Sequence, residues 1–376
     1  MVVGLQDYRL VYVGPARGKT AVGDYAQNFV DAVRPLVGEV AEYRTDGPGE
    51  DSLADIRAGR RAVAELIAAG PPGRTLVHAE LACGLMTPFW ATAGIDDVPV
   101  SATVHDPPQG VWFMARTRFM ASHRLLFHGT HYPMRPVARM IEGRVNGSRT
   151  LFALTETGRR SIESVYPRTD ARYIPHLVAE RPQIRPAHER PNAVGFFGHV
   201  YRGKGFEEIA QIRRLLPDDV AIRVAGRGTE LLPASPGIDI VGPVDGPGED
   251  AFFESVRAIV VPYGKRHFYA DTFPASGVVA HSLAYQTPVI CTAYGSLAEL
   301  DAASGAVVVD TANAGQNGST AAALAHTIAE VVNDPVRLTE LGRNAEATRQ
   351  ARSPHRTAEA FVAAWSQMLA RRAAGV

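Results

Sequence analysis

The sequence predicts an α/β protein made of two Rossmann-like, doubly wound domains. Two observations support this prediction: short apolar runs alternate with helical patterns along the chain, and the runs form two sets of six on either side of a proline-rich segment. Such alternation is typical of βαβ units with a mostly parallel sheet. A chain of 376 residues is also longer than one ordinary core requires, which favours two domains.

Each set of apolar runs supplies the six strands of one predicted sheet. The first six strands are predicted at 9–14, 40–45, 75–81, 100–106, 150–155 and 172–178. The second six are predicted at 193–198, 221–226, 238–242, 258–263, 288–292 and 306–310. Because folds of this kind bind ligands at the carboxyl ends of their strands, we expect the two domains to face a central cleft.

The segment between the two sets is the predicted interdomain linker. It contains Pro182, Pro186 and Pro191 in a polar run that suits neither a helix nor the interior of a sheet. The expected divisions are an N-terminal domain, the linker, a C-terminal domain and a last helix, at 1–180, 181–192, 193–352 and 353–376.

The last helix has an apolar stripe at helical spacing. The stripe consists of Phe361, Val362, Trp365, Met368 and Leu369. A helix with such a stripe needs a surface to cover, so we expect it to pack across the domain junction and return to the first domain.

Composition narrows the possible partners and compartments. The 39 basic and 39 acidic residues balance, so no overall field attracts nucleic acid. Cys83 and Cys291 are too few for a disulfide framework or a Cys-x-x-Cys metal site. The sequence contains neither a cleavable leader pattern nor an apolar run long enough to span a bilayer. We therefore expect a cytoplasmic protein, with the inner face of the membrane as an alternative location.

Two glycine-containing turns follow the first two strands of the second set. In GHVYRGKGFEEI, His199, Arg202 and Lys204 precede a helix predicted to begin near Phe206, where cations and backbone amides could bind a diphosphate. The turn VAGRGTE places Gly226 where its backbone could lie near a base or ribose. The alternative for both turns is an ordinary exit from a strand, with solvated basic residues.

Another predicted helix start lies in DTFPASGVVAHSLAYQ. Ser276 is the predicted N-cap, and Gly277 would let a phosphate approach the amides of the first turn. His281 and Tyr285 depart from the apolar rhythm of this helix, so core packing does not by itself explain them. Asp271 lies just upstream.

The first domain has polar residues at comparable positions. Gly23, Asp24 and Tyr25 open the first predicted helix, with the Tyr25 side chain expected to face inward. His105 lies at the end of the fourth predicted strand, at the edge where such folds carry functional residues. A structural histidine at the sheet edge is the alternative. The His and Glu of LVHAEL, in the third strand, are similarly placed.

A basic segment extends from 112 to 149. It contains seven arginines, three histidines, five aromatic residues and one acidic residue. Interleaved basic and aromatic residues suit a phosphorylated or glycan acceptor, with Trp112 and Arg116 as candidates, or an anionic membrane surface. A solvated basic face is the alternative, and no nucleic-acid motif is recognisable.

Short motifs occur in a defined order along the chain: GDY, HD, IPH, GHVYRGKG, AGRG, VPY and a loop and helix ending in PVI. This order resembles the retaining glycosyltransferases of the GT-B fold, in particular family 4, which includes mannosyl-, glucosyl- and N-acetylglucosaminyltransferases. The resemblance covers nearly the whole chain. It implies that the first domain binds the acceptor and the second binds a nucleotide sugar.

The resemblance also assigns roles to residues. The family motif G-R-x4-K-G matches GHVYRGKG with Lys204 in place, His199 at the usual arginine and Arg202 as a substitute cation. The family motif Glu-x7-Glu is not intact, because alignment on PVI puts its two acids on Phe273 and His281.

A two-residue shift in the loop makes Asp271 the acid nearest the donor sugar. His281 would then hold the ribose in place of the second glutamate, and Glu299 resembles a later glutamate of the family. The catalytic candidates are His105 and Asp271. The donor-binding candidates are Gly23, His199, Arg202, Lys204, Gly226, Ser276, Gly277, His281 and Glu299, and the acceptor-binding candidates are Asp24, Tyr25, Trp112 and Arg116.

The implied activity is retaining transfer of a hexose from a nucleotide sugar, with GDP-mannose slightly favoured over UDP-glucose. The acceptor would be a glycan, a lipid-linked sugar or a small molecule. No tightly bound cofactor and no protein metal site are expected, and a divalent metal ion would at most stimulate the reaction. The expected partners exclude nucleic acid and include a weak peripheral membrane contact, and the chain is expected to be a monomer or a homodimer.

Three other activities are considered. A nucleotide-sugar 2-epimerase would share the fold and need no acceptor, and a non-catalytic sugar-nucleotide or glycan-binding subunit would explain the missing acids. A nicotinamide oxidoreductase is disfavoured because no G-x-G-x-x-G follows the first strand.

Overall fold

A computed structural model describes residues 4–265, 271–310 and 319–374. The chain divides into two compact units. The first unit comprises Met1–Leu177, Thr272–Ala275 and Pro354–Val376, and the second comprises Val178–Asp271 and Ser276–Ser353. The short segment Thr272–Ala275 therefore belongs to the first unit, although its neighbours in sequence on both sides belong to the second.

The first unit contains one six-stranded parallel sheet. Its strands are β1 (Arg9–Pro15), β2 (Glu39–Thr45), β3 (Thr75–Leu81), β4 (Val100–Val104), β5 (Thr150–Ala153) and β6 (Asp170–Tyr173), in the spatial order β2-β1-β3-β4-β5-β6. The helices before the linker are α1 (Ala21–Val33), α2 (Leu53–Ala68), α3 (Met86–Ala91), α4 (Arg118–Ser122), α5 (Arg124–Asn146) and α6 (Glu156–Val165). All six predicted strands of this set are confirmed.

The second unit contains another six-stranded parallel sheet. Its strands are β7 (Ala193–Phe197), β8 (Ala221–Ala225), β9 (Ile238–Gly242), β10 (Ala258–Val261), β11 (Val289–Thr292) and β12 (Ala306–Val309), in the order β12-β11-β10-β7-β8-β9. The helices are α7 (Ile209–Leu215), α8 (Gly246–Glu254), α9 (Gly277–Ala284), α10 (Thr320–Val332) and α11 (Pro335–Ala351). The predicted second sheet is therefore confirmed as well.

The last helix, α12 (Pro354–Ala373), packs in the first unit as predicted. The Phe361 and Trp365 rings lie 4.7 and 6.2 Å from the Phe29 ring on α1. The indole Nε1 of Trp365 donates a hydrogen bond of 2.9 Å to the Ser101 hydroxyl on β4. The apolar stripe of α12 thus completes the core on one face of the first sheet, and the polar end of its indole is also satisfied.

The central strands are buried on both faces because helices cover each parallel sheet. Every residue of β3 is buried, including His78 and Glu80. Burying a charged or polar side chain is unfavourable unless it is hydrogen-bonded, so two such residues in a central strand need partners.

Two predicted elements have different bounds in the structure: one strand ends early and one helix begins late. The run 172–178 forms a strand only to Tyr173, because Pro175 lacks the N–H that would continue the ladder. The helix predicted near Phe206 begins at Ile209, after a 3-10 turn at Phe206–Glu208. The turn that contains Lys204 therefore precedes a 3-10 turn and not the first turn of an α-helix.

In the part of the chain that the structure describes, no helix is long and apolar enough to cross a membrane.

Candidate functional site

The loops after β7 and β10 leave the second sheet at its topological switch point. β7 and β10 are neighbours in the sheet, and the chain continues from β7 toward β8 on one side and from β10 toward β11 on the other. The two loops therefore diverge at the carboxyl edge, which is where open α/β sheets commonly bind ligands. Lys204 and Tyr263 lie in these loops.

Two glycines allow the backbones of the turns after β7 and β8 to pack closely against each other. Gly198 and Gly226 have φ values of 120° and 127°, a backbone conformation that residues with a side chain rarely adopt. An added Cβ on Gly226 would lie 2.1 Å from the Gly198 carbonyl oxygen. The Gly198 amide donates to the Ala225 carbonyl at 3.0 Å. Close backbone packing therefore explains why glycine occupies position 226.

A hydrogen-bonded chain joins Lys204, Tyr263 and Ser276. The Lys204 ammonium donates to the Tyr263 hydroxyl and lies 3.8 Å from the centroid of the Tyr263 ring. The Tyr263 hydroxyl is 3.1 Å from the Ser276 hydroxyl. Burial raises the pKa of Tyr263, so its hydroxyl stays neutral and can bridge the other two groups. We call these three residues the lysine chain.

The lysine chain ends at the start of α9. Ser276 is the N-cap, as predicted, and its hydroxyl accepts a hydrogen bond of 3.3 Å from the Val279 amide. Gly277 is exposed, and an added Cβ there would meet nothing within 4 Å. Open space therefore adjoins the first turn of a helix whose N-terminal dipole favours an anion. His199 and Arg202 are exposed on the same turn as Lys204.

His281 is held by an acid on the neighbouring helix α8. Its Nδ1 lies 2.8 Å from the Glu249 carboxylate, which also pairs with Arg181 at 3.3 Å. Burial raises the pKa of Glu249, but the hydrogen bond and charge of His281 and the charge of Arg181 outweigh it and lower the pKa overall. Ionised Glu249 can only accept, so Nδ1 is the donor. Nε2 is then the remaining polar atom of a side chain that is 38% exposed.

Tyr285 is explained by packing and one hydrogen bond. Its ring stacks on Phe253 at 4.3 Å and its hydroxyl donates to Asp250 at 2.5 Å. The side chain is buried. The departure of Tyr285 from the apolar rhythm therefore reflects a polar contact between α9 and α8.

Asp271 and Glu299 are both exposed. Asp271 directly follows residues 266–270, which lie outside the described part of the chain. The next segment, Thr272–Ala275, is part of the first unit, where the Phe273 amide donates to the Pro107 carbonyl at 2.8 Å. Glu299 ends a 3-10 turn after β11. The roles suggested for the two acids remain proposals.

The carboxyl edge of the first sheet contains a hydrogen-bonded acid. Glu80 accepts from the Tyr12 hydroxyl at 2.7 Å, and its other oxygen is 2.7 Å from Nε2 of His105. His78 lies 3.5 Å from Glu80 and also contacts the hydroxyls of Ser101 and Thr103. His78 and Glu80 of β3 are therefore both satisfied by one network.

The charge state of Glu80 orients His105. Burial raises the pKa of Glu80, but hydrogen bonds and charges from His105 and His78 outweigh it and lower the pKa to about 2. The carboxylate is therefore ionised at neutral pH and can only accept, so His105 Nε2 is a donor. This arrangement leaves Nδ1 as the second functional atom of the imidazole.

Tyr25 brings the first helix to the same edge. Its ring is 5.0 Å from His105 and 5.0 Å from His176, in edge-on contacts. Its hydroxyl is buried and has no hydrogen-bond partner among the described residues. An unsatisfied buried hydroxyl is costly, so a bound polar group would compensate it. The structure thus brings together two predicted residues, Tyr25 and His105.

Gly23 and Asp24 serve local structure at the start of α1. An added Cβ on Gly23 would lie 2.1 Å from the Ala16 carbonyl oxygen, and the Gly23 amide donates to the Thr20 hydroxyl at 3.0 Å. The Asp24 carboxylate accepts from the Gly18 amide at 2.9 Å. Both contacts shape the turn that follows β1.

Trp112 and Arg116 lie in a second cluster, around His131 of α5. The Trp112 ring is 4.9 Å from His131, and the Arg116 guanidinium is 5.6 Å from the Phe127 ring, which stacks on His131. Burial lowers the pKa of His131 to about 4, and nearby positive charges contribute to a smaller extent. This aromatic cluster, in which His131 is neutral, packs the loop after β4 against α5.

Sequence reasoning did not single out Tyr263 or Glu249. Tyr263 was visible only as the last letter of the VPY motif, and an aromatic residue at the end of a strand is usually part of a core. Glu249 had no signal at all, because its partners His281 and Arg181 lie far away in sequence. No group of three or more His, Cys, Asp or Glu residues in the described ranges could hold a metal ion.

Comparison with solved structures identifies the fold. The chain is similar to HepE from Anabaena, solved with UDP and glucose, with a TM-score of 0.65 and 11% identity over 96% of this chain and 100% of HepE. It is similar to AviGT4, a glycosyltransferase involved in avilamycin A biosynthesis, with a TM-score of 0.59 and 14% identity over 96% and 98% of the chains.

A third similar structure is the α,α-trehalose 6-phosphate synthase of Burkholderia multivorans, with a TM-score of 0.61 and 12% identity over 98% and 99% of the chains. At the level of sequence, neither a protein-family model nor a curated protein matches the chain. The chain therefore has the GT-B fold, as its motif order predicts.

Proposed function

We propose that this protein is a retaining glycosyltransferase of GT-B family 4 that moves a hexose from a nucleotide-diphosphate sugar to a glycan, lipid-linked or small-molecule acceptor. The observation that supports this best is the lysine chain at the switch point of the second sheet, next to the open first turn of α9. HepE, which shares the fold, was solved with UDP and glucose.

The lysine chain suits the leaving diphosphate. When the bond between the anomeric carbon and the phosphate oxygen breaks, negative charge accumulates on the diphosphate. Lys204 supplies a fixed cation, and the amides at Ser276 and Gly277 supply donors on a helix N-terminus. Arg202 and His199 are exposed in the same turn as Lys204, and they would add to the positive charge around the diphosphate.

The remaining donor contacts follow from the family resemblance. His281, oriented by Glu249, would offer Nε2 to a ribose hydroxyl in place of the usual glutamate. Asp271 would lie near the sugar, and the backbone at Gly226 near the base or ribose. Glu299 resembles the later glutamate of the family, and its alternative role is to end the 3-10 turn after β11.

The first unit would supply the acceptor-side residues. His105, held by Glu80, would contact the transferred sugar or a phosphate, and the unsatisfied hydroxyl of Tyr25 would bind a polar group of the substrate. A new bond then forms from the anomeric carbon to the acceptor oxygen, and the leaving phosphate takes the acceptor's proton. Trp112 and Arg116 remain candidates for binding a larger acceptor.

The identity of the donor can be determined by testing which nucleotide the protein binds. The family resemblance slightly favours GDP-mannose, whereas HepE, which has the same fold, was solved with UDP and with UDP-glucose. Thermal-shift and calorimetric measurements with UDP, GDP, ADP and their hexose conjugates distinguish these donors. We expect one nucleoside diphosphate and its hexose conjugate to bind, and lack of binding by every nucleotide would contradict the proposal.

Product analysis then separates the activities. A glycosyltransferase consumes the donor and forms a glycoside only when an acceptor is present. Conversion of the donor sugar without an acceptor would indicate a 2-epimerase. Binding without any turnover, over a panel of glycan, lipid-linked and small-molecule acceptors, would indicate a non-catalytic subunit.

Replacing Gly277 with alanine tests whether a phosphate approaches the first turn of α9. The added methyl group has free space in the structure and alanine favours helix, so we expect unchanged or slightly higher thermal stability. We also expect nucleotide-diphosphate affinity to fall on the order of tenfold, because the methyl group would occupy the space of the anion.

The matched control for this test is Gly248→Ala on α8. Its added Cβ also has room, with Val244 at 3.8 Å, and Gly248 has no part in the proposed site. We expect normal nucleotide affinity for the control. Equal affinities for wild type, Gly277→Ala and Gly248→Ala would exclude close approach of the diphosphate to this turn.

A further inference from the structure

The outward face of the long helix α5 carries exposed apolar side chains. The inward face buries His131, Ala138, Glu142 and Asn146, which recur at helical spacing. A surface helix of a globular protein normally turns charged and polar residues toward solvent. In α5 the outward side instead contains several of the most exposed large apolar side chains of the described structure.

These outward side chains form one continuous stripe. Leu126, Pro133, Val137 and Met140 recur at intervals of seven, four and three residues, which places them on one line along the helix. Leu125 is adjacent and is 91% exposed, and Met140 is 66% exposed. A stripe of this kind exceeds the isolated apolar residues that are normal on a protein surface.

The helix α4 adds one more apolar side chain. Phe119 is 60% exposed, and its ring lies 4.4 Å from the His123 ring, in a tilted contact at the junction between α4 and α5. We call the apolar set on α4 and α5 the outer face. It consists of Phe119, Leu125, Leu126, Pro133, Val137 and Met140.

The charged residues near the outer face are positive. Arg124, Arg139 and Arg144 are exposed on α5. Glu142 is the single acidic residue between positions 112 and 149, and it is buried, where it accepts hydrogen bonds from the Gly110 and Val111 amides. No exposed acid of this segment therefore balances the arginines.

The combination of exposed apolar and basic groups indicates which kind of partner the outer face would bind. A second copy of the chain, docked by a twofold axis, would place the same arginines opposite each other without acids from this segment to pair with them. Nucleic acid would use the arginines but would leave the apolar stripe in water. An anionic bilayer satisfies both, because apolar side chains enter the boundary of the acyl chains while arginines contact lipid phosphates.

We propose that the outer face is a docking surface for a membrane that contains anionic phospholipid. The helix would lie in the plane of the interface, with Leu126, Val137 and Met140 immersed and Arg139 and Arg144 at the headgroups. Docking would hold the first unit at the surface where lipid-linked substrates are found. This inference depends on the surface chemistry of α4 and α5 and not on the donor site.

Vesicle co-sedimentation of the full chain tests the proposal. We expect binding to vesicles made of equal parts phosphatidylcholine and phosphatidylglycerol, and much weaker binding to phosphatidylcholine alone. Binding should weaken as salt concentration rises, because salt screens the arginines. Lack of binding to the mixed vesicles at low salt would overturn the proposal.

Two double variants separate the apolar and the electrostatic contributions. Leu126→Gln with Met140→Gln should lower the partition coefficient on the order of tenfold or more, because two immersed side chains are lost. Arg139→Gln with Arg144→Gln should lower it roughly fivefold for each arginine removed. All four residues are exposed, so we expect the variants to fold with unchanged thermal stability.

Matched controls remove the same groups elsewhere. Leu231→Gln with Val336→Gln removes two highly exposed apolar side chains from the second unit, and Arg57→Gln with Arg61→Gln removes two exposed arginines from α2. Controls that lose as much binding as the outer-face variants would overturn the proposal. So would a dimer in sedimentation velocity that dissociates on replacing Leu126 and Met140, since the face would then bind a second copy.

Discussion

Replacing Lys204 with alanine is expected to weaken binding of the nucleoside diphosphate at least about tenfold, or roughly 1.4 kcal/mol. The Lys204 ammonium is the one positive charge fixed within the lysine chain, by the Tyr263 hydroxyl that in turn contacts Ser276 at the start of α9. A cation already fixed in place loses little conformational entropy when an anion binds. Isothermal titration calorimetry with the nucleotide identified by the panel measures the change.

Two further variants test whether the loss of affinity is specific to Lys204 and to its position. Lys19→Ala removes an exposed lysine that pairs with Asp46 in the first unit, and it should leave the affinity unchanged. Tyr263→Phe keeps the ring but removes the hydroxyl that positions Lys204, and it should produce a smaller loss than Lys204→Ala. Unchanged affinity in Lys204→Ala would show that the diphosphate binds elsewhere.

Replacing Glu80 with glutamine is expected to lower turnover by at least about tenfold and to destabilise the protein. Glutamine has the same shape, but its amide nitrogen is a donor and cannot accept from Tyr12 or His105 as a carboxylate oxygen does. One buried hydrogen bond is therefore lost and His105 is no longer held. Steady-state kinetics and thermal melts measure the two effects, and nucleotide affinity should stay nearly normal.

The stability effect of Glu80 has a defined pH dependence. Its pKa is lowered on folding from 4.5 to about 2, so the ionised acid stabilises the folded state above pH 4.5. This contribution, roughly 3 kcal/mol, is lost as the pH falls through 4.5 toward 2. The difference in stability between wild type and Glu80→Gln should therefore shrink with acidification. A constant difference from pH 7 to pH 3 would contradict the lowered pKa.

His105→Ala separates positioning from stability. His105 lies at the sheet edge and is partly exposed, so its removal should lower turnover as Glu80→Gln does but cost less stability. If both variants destabilise the protein and neither changes turnover, the pair is purely structural. Normal turnover in His105→Ala alone would remove His105 from the proposed mechanism.

The sequence allowed much of the fold to be predicted. The two sets of six strands, the return of the last helix to the first domain, and Ser276 as an N-cap were all visible, because each depends on neighbouring residues. Apolar runs and caps act over a few positions, and the same holds for the stripe of α12. The apolar stripe on the outside of α5 was missed, since the sequence does not say which face of a helix is covered, and here the covered face contains His131, Glu142 and Asn146.

The candidate site was predictable only in part. Lys204, Gly226 and His105 were proposed as site residues because loops after parallel strands are the expected places for binding residues. The departure of Tyr285 from the apolar rhythm was visible, but its partner Asp250 was not, because Asp250 lies on another helix. The helix expected near Phe206 begins later, after a 3-10 turn, so local glycine signals overstated the role of a helix terminus there.

By itself, the sequence determined the α/β class, the division into two sheets and the positions of the loops, because these follow from local periodicity and turn residues. Only the tertiary structure decided which side chains meet. His105 pairs with Glu80 across 25 positions, Lys204 with Tyr263 across 59, and His281 with Glu249 across 32. These pairings depend on the spatial order of strands and the packing of helices, which a polar residue's immediate neighbours do not specify.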